Sequence, residues 1–238
     1  MKFAFIVTSA VNTKFGVFNT EQRMQQTRST VDSIRKRVPK AMIVILESSG
    51  PKITDAQRTE LTAMSDYLYD CSGDESVAAI YESTDNWDIV KNSCEVLCFG
   101  QAIKDMHSEQ KFADVDRVFK ISGRYTLNDM FDPTTYEQTD VADKIVVSRV
   151  RQSQFNIQIT QVPLQYMSRL WSWPTAITDQ IIDVYDRGFQ FIAQRYAEGG
   201  YCDIEHMLYK FLPSDHVHQL DHVGIEGNIG PNGTFVKD

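Results

Sequence analysis

Arg117-Val118-Phe119-Lys120-Ile121-Ser122-Gly123-Arg124-Tyr125-Thr126-Leu127-Asn128-Asp129 changes character halfway along. The first half is an apolar, β-branched run that reads as a buried strand, and the second opens with a small-small-cation-aromatic cluster around a flexible glycine. In open α/β sheets ligands bind beyond the carboxyl ends of the strands, so Ser122, Gly123 and Arg124 stand where a ligand is expected. Lys120 and Arg124 are then the natural anion holders. The alternative is a strand ending in a plain turn, with Arg124 paired to a surface carboxylate.

Outward from that strand the pattern is α/β. Lys2 to Thr8 and Lys40 to Glu47 read as buried strands of the doubly covered, parallel kind. Both finish in small polar residues, which puts Thr8, Ser9 and Glu47 where a nucleotide's base and ribose are bound; helix capping is the competing use of the hydroxyls. Helices are expected over Thr20 to Val38 (with Thr20 as its cap), Thr54 to Met64, Ile89 to His107, Thr178 to Tyr196 and Ile204 to Leu212. Tyr67 to Asp70 is a short strand, and Cys71 to Asp88 a polar loop. Lys91 and Glu95, at i and i+4, read as a structural pair.

Further along, Lys144 to Ser148 and Phe155 to Ile159 read as strands, the second alternating as if half exposed. Tyr166, Arg169, Trp171 and Trp173 form an aromatic cluster that suits stacking on a sugar or base, although core packing is the commoner use of such residues. Asp203, Glu205 and His206 follow Gly199-Gly200 at a helix start, where a loop can present a carboxylate or imidazole to a crevice. The tail from Val223 to Gly233 is too rich in turn residues to be a random end.

At 238 residues the chain fits one large α/β domain with a sizeable core. A net charge of −8 argues against general adhesion to nucleic acid. The basic cluster from Arg28 to Lys40 reads as a solvated helix face. Four cysteines without paired spacing suggest neither a zinc site nor a disulfide framework, and suit a reducing cytoplasm. The apolar start is too short to span a membrane. Neither a dinucleotide glycine fingerprint nor a P-loop follows the first strand. Asp114-x-Asp116 looks like a metal motif, yet it precedes its strand and so belongs to the sheet edge opposite the crevice.

Taken in order, Ile6 to Ala10, Glu21 to Arg35, Ile45 to Ser49, Phe119 to Tyr125, Asp203 to His206 and Glu226 to Gly233 resemble the GT-A-like nucleotide-sugar glycosyltransferases of bacteria and large phages. The resemblance implies a Rossmann-like GT-A fold, with a mostly parallel central sheet flanked by helices and a helical, glycine-rich C-terminal acceptor region. It implies a single domain over 1–238, with a nucleotide-sugar half (1–128) and an acceptor half (129–238). The expected activity is sugar transfer from a nucleotide diphosphate sugar to a glycan hydroxyl or, in a phage, to a hydroxymethylated DNA base in the host cytoplasm. An inactive nucleotide-sugar-binding module and a nucleotidyltransferase-like enzyme are the alternatives.

Typical members hold a divalent metal, Mn²⁺ or Mg²⁺, on an Asp-x-Asp at the end of the central strand. Here Ser122-Gly123-Arg124 takes that place, so a cation, Arg124 or Lys120, is expected to neutralise the diphosphate. Glu205 and Asp203 are the expected catalytic carboxylates, with His206 as a competing base, and Tyr166, Arg169, Trp171 and Trp173 are the expected acceptor contacts.

Overall fold

A computed structural model describes residues 1–238. In chain order the elements are β1 (Phe3–Ser9), α1 (Thr20–Arg37), β2 (Met42–Glu47), α2 (Asp55–Ala63), β3 (Tyr67–Asp70), α3 (Glu75–Ser83), α4 (Trp87–Ser108), β4 (Arg117–Ser122) and β5 (Tyr125–Leu127). They continue with β6 (Ile145–Ser148), β7 (Arg151–Gln152), α5 (Ile157–Thr160), β8 (Leu164–Gln165), β9 (Leu170–Pro174), α6 (Thr178–Ala197), α7 (Ile204–Phe211), β10 (Val217–Leu220), β11 (Ile225–Asn228) and β12 (Phe235–Lys237).

The main sheet has seven strands in the order β10-β6-β9-β4-β1-β2-β3. Strand β9 alone runs antiparallel to its neighbours β4 and β6, while β3, β2, β1 and β4 are mutually parallel. The sheet is therefore the expected mostly parallel one, and β1, β2 and β4 end together along one edge. A smaller antiparallel sheet, β12-β11-β5, stands at that edge.

Strand alternation divides the core in two. Ala4 and Ile6 of β1, Val44 and Leu46 of β2 and Val118 of β4 face α4, α6 and α7. Phe5, Val7, Ile43, Ile45, Phe119 and Ile121 face α1, with the aromatic residues Phe131 and Tyr136 closing that side. Lys120 breaks the pattern: its parity puts an ammonium on the α4 face of a strand buried over its whole length.

Several elements differ from the sequence expectation. The cap of α1 is Asn19, not Thr20: its side chain accepts from Gln22 N while the Gln22 side chain binds back to the Asn19 backbone, a reciprocal box. Residues 75–83 form a helix, capped by Asp74, inside the stretch expected to be loop. Phe155 to Ile159 is not a strand; Asn156 caps the short helix α5. The basic residues Arg35, Lys36 and Arg37 end α1, where positive charge complements the helix dipole. All four cysteines are free and buried, and no helix is long and apolar enough to cross a membrane.

Candidate active site

Two adjoining cavities open along the carboxyl edge of β1, β2 and β4. The first, about 300 Å³, is lined by Thr8 and Ser9 from β1, Ser48, Ser49 and Gly50 after β2, the loop 13–16, Arg23 and Tyr81. The second, about 330 Å³, is lined by Ser122, Tyr125, Gln154, Phe155, Gln165, Ser168, Arg169, Tyr201, Asp203 and Glu205. Trp87, Lys91, Glu95, Arg124 and Pro231 line both, so they mark the seam of one two-lobed cleft.

Arg124 leaves the end of β4 through the turn at Gly123, whose N–H donates to Thr8 O at 2.8 Å. A Cβ at Gly123 would stand 3.0 Å from Thr8 O and 3.1 Å from Thr27 Oγ1, so glycine is what lets the turn lie this close to β1. Gly123 therefore positions Arg124 and does not itself line either lobe. The Arg124 guanidinium lies about 5.9 Å from the Tyr125 ring centroid. Its Nε is buried without a hydrogen-bond partner.

Arg23 is the second guanidinium here, donating to Phe18 O, Ala10 O and Phe15 O at 3.1, 3.4 and 2.9 Å. Burial, with Arg124 nearby, lowers its pKa to about 10, which leaves it charged at neutral pH. Gly16 shapes the same wall: its φ is +83°, and a Cβ would meet Arg23 Nη2 and Gly230 O at 2.9 Å.

Lys120 is not one of the free cations. Its ammonium is fully buried and gives its three protons to Glu95 Oε1 at 2.7 Å, Ser122 Oγ at 2.9 Å and Ser168 O at 2.8 Å. An anion in the cleft finds no donor left on it. Burial alone would raise the Glu95 carboxyl, but Lys120 and Lys91 pull it down to about 2. Thr8 Oγ1 donates to the same Glu95 oxygen at 3.3 Å.

Glu205 faces the second lobe, and its Oε1 accepts from Ser168 Oγ at 2.6 Å. Burial first, and the neighbouring Asp203 second, raise its pKa above the ordinary value. Asp203 is the helix cap that its position implied: Oδ1 accepts from His206 N at 2.9 Å. The same oxygen lies 2.6 Å from His206 Nδ1, while His206 Nε2 lies 2.8 Å from Ser153 Oγ. Both ring nitrogens of a fully buried imidazole are thus engaged, and His206 does not reach either lobe.

The remaining expected contacts divide. Arg169 lines the second lobe, stacked 5.6 Å from the Tyr125 centroid. Trp171 and Trp173 belong to the core: both are buried among Phe99 and Tyr185, and Trp173 Nε1 donates to Thr178 Oγ1. Tyr166 is buried against Tyr209. Glu47 is fully buried and holds the β1 loop, accepting from Val11 N, Ser49 N and Ser49 Oγ; burial raises its pKa against the pull of those hydrogen bonds. The aromatic walls facing the second lobe are instead Trp87, Tyr125, Phe155 and Tyr201.

Asp114 and Asp116 precede β4, at the sheet edge away from the cleft, where Asp116 Oδ2 accepts from Lys2 N at 2.6 Å. A divalent cation does not fit the residues at the cleft. No three His, Cys, Asp or Glu side chains converge as a donor set, Glu95 is spent on Lys120, and the turn after β4 presents a guanidinium.

No protein-family model and no curated protein matches the sequence. Solved structures do match in fold. An active-site mutant of LgtC aligns over 92% of this chain and 72% of that one, with a TM-score of 0.55 at 12% identity. Core-mannan synthase A from Aspergillus fumigatus, in a Mn/GDP form, aligns over 96% and 74%, at 0.52 and 10%. Mouse xyloside xylosyltransferase 1 aligns over 92% and 84%, at 0.51 and 11%. The central mostly parallel sheet and its flanking helices are therefore arranged in the GT-A, Rossmann-like fold that these solved structures share.

Proposed function

We propose that this protein transfers a sugar from a nucleotide diphosphate sugar to the hydroxyl of a glycan acceptor. The observation that carries the reading is the unpaired Arg124 guanidinium at the seam of a two-lobed cleft. The lobe over β1 and β2 suits the nucleotide, because the small polar residues Thr8, Ser9, Ser48 and Ser49 line it. The lobe over β4 suits the sugar and its acceptor, because aromatic faces and amides bind pyranose rings by stacking and hydrogen bonds.

In the reaction the acceptor oxygen bonds to the anomeric carbon, while the bond from that carbon to the β-phosphate oxygen breaks and its electron pair leaves with the diphosphate. A guanidinium fork stabilises the charge that grows on those oxygens. Glu205 takes the acceptor proton if configuration inverts, or stands beside the anomeric carbon if it is retained. Burial and the neighbouring Asp203 raise its pKa above the ordinary carboxylate value, which makes it the stronger base.

The test is a thermal-shift screen of nucleotide sugars, followed by measurement of nucleoside diphosphate release with mono- and oligosaccharide acceptors. A cognate donor at a hundred times its dissociation constant adds about 2.7 kcal/mol. A screen in which no nucleotide sugar shifts the melt or is consumed rejects the proposal.

A further inference from the structure

Lys91 sits in the second turn of α4, on the stripe that Glu95, Cys98, Ala102 and Met106 continue. Two other lysines near the cleft are committed, Lys14 to Asp85 at 2.8 Å and Lys120 to Glu95 at 2.7 Å. Lys91 makes no ion pair within 4 Å and no side-chain hydrogen bond, yet it lines both lobes. So does Arg124, which approaches from the end of β4. Two cations from different elements thus meet at one seam without a protein anion in contact with either.

Burial works against the Lys91 ammonium, but Glu205, Glu95 and Asp203 outweigh it and hold the group charged. None of the three satisfies it by contact: Glu95 bonds Lys120, Glu205 accepts from Ser168, and Asp203 bonds His206. A half-buried ammonium attracted by carboxylates that are engaged elsewhere remains free to contact an anion in the cleft.

We propose that Lys91 and Arg124 form a two-cation clamp that holds the diphosphate of the donor without a metal ion. The clamp rests on the glycosyl-transfer reading and specifies how that site binds its ligand. The geometry suits it because a diphosphate offers oxygens on both phosphorus atoms, one set for a bidentate fork and one for a point charge. A divalent cation in the same seam would be repelled by both residues at short range. When the bond to the sugar breaks, the departing oxygen's charge is met by groups already in place, so no reorganisation is needed.

The test is isothermal titration of inorganic pyrophosphate, UDP and GDP into the wild-type protein and into Lys91→Met, Lys91→Arg and Arg124→Ala, each in EDTA and in Mn²⁺. Wild type is expected to bind pyrophosphate or a nucleoside diphosphate equally well in EDTA and Mn²⁺. Lys91→Met and Arg124→Ala each weaken binding about tenfold or more, while Lys91→Arg retains most of it. Melting curves separate misfolding from lost affinity, and the charge-conserving Lys91→Arg supplies a control if Lys91→Met is unstable. Binding that requires Mn²⁺, or a folded Lys91→Met that binds as wild type, overturns the clamp. Sugar transfer found only with Mn²⁺ overturns the clamp and leaves the glycosyl-transfer reading standing. Metal-free diphosphate binding without turnover of any nucleotide sugar does the reverse.

Discussion

Lys120 Nζ and Glu95 Oε1, 2.7 Å apart, join the central strand to the helix that covers it. Glu95 lines the seam of the cleft and Lys120 lies beneath it, where through Ser122 and Ser168 the lysine ties together the two segments that border the acceptor lobe. Removing one member of a buried pair strands the other charge, so Glu95→Gln is expected to destabilise the fold by about 3–5 kcal/mol. The double variant Glu95→Gln, Lys120→Met should recover much of that loss. Chemical denaturation measures both, and a Glu95→Gln protein as stable as wild type would show that the pair is not structural.

The same pair sets an acid limit. The Glu95 carboxyl is depressed from 4.5 to about 2, so its stabilising contribution is complete above the ordinary glutamate value and is lost as pH falls toward 2. Melting temperature measured from pH 6 downward should therefore fall less steeply in Glu95→Gln than in wild type across that window. Parallel curves would remove Glu95 from the account.

Arg124→Ala is expected to weaken donor binding about 10- to 100-fold with little change in melting temperature, because its buried Nε makes no hydrogen bond to the rest of the protein. Arg124→Lys should restore only part of the affinity, since a point charge replaces a fork. Unchanged donor affinity in the alanine variant refutes the assignment.

Glu205→Gln should keep donor binding and lose at least about 10²-fold in transfer. The raised pKa of Glu205 places the acid limb of the pH–rate profile above 4.5, because the carboxylate takes a proton sooner than a free one as pH falls. Lys91 opposes that rise, so Lys91→Met moves the limb to still higher pH. A limb at or below 4.5, or one that Lys91→Met shifts downward, contradicts the role.

His206→Asn is expected to cost stability, about 1–3 kcal/mol from the broken links to Asp203 and Ser153, and to leave the transfer rate of the folded protein near wild type. If transfer collapses while the melt is unchanged, His206 regains its place as a candidate base.

The strands β1, β2 and β4 are legible because each is buried on both faces and so is mostly apolar, with polar residues at its carboxyl end; Arg117 and Lys120 of β4 are the exceptions. Arg124 is expected from that edge, and Glu205 from its place at a helix start after Gly199-Gly200; both side chains line the cleft. Strand β9 was not readable: its Trp171 and Trp173 look like a ligand platform in one dimension, and only their antiparallel pairing with Lys120 and Val118 makes them core. Helix α3 was hidden by its polar setting, and α5 by a spacing of Ile157 and Ile159 that mimics strand alternation.

Lys91 and Glu95 stand four residues apart on a helix, the spacing of a structural pair. Glu95 instead reaches Lys120, on another element, and leaves Lys91 open to the cleft. The available signal was Lys120 itself: a lysine in register with a buried core face needs a carboxylate from whatever packs against it.

The roof of the cleft comes from far along the chain. Strand β11 pairs with β5, bringing Thr126 beside Glu226, 100 residues later, and β11 leads into Ile229, Gly230 and Pro231 over the seam. During synthesis the sheet, its helices and Arg124 are all made before these residues leave the ribosome. A growing polypeptide that has reached only α7 therefore carries an open, unroofed groove, and its competence to enclose a donor waits on the translation of β11 and of Ile229, Gly230 and Pro231.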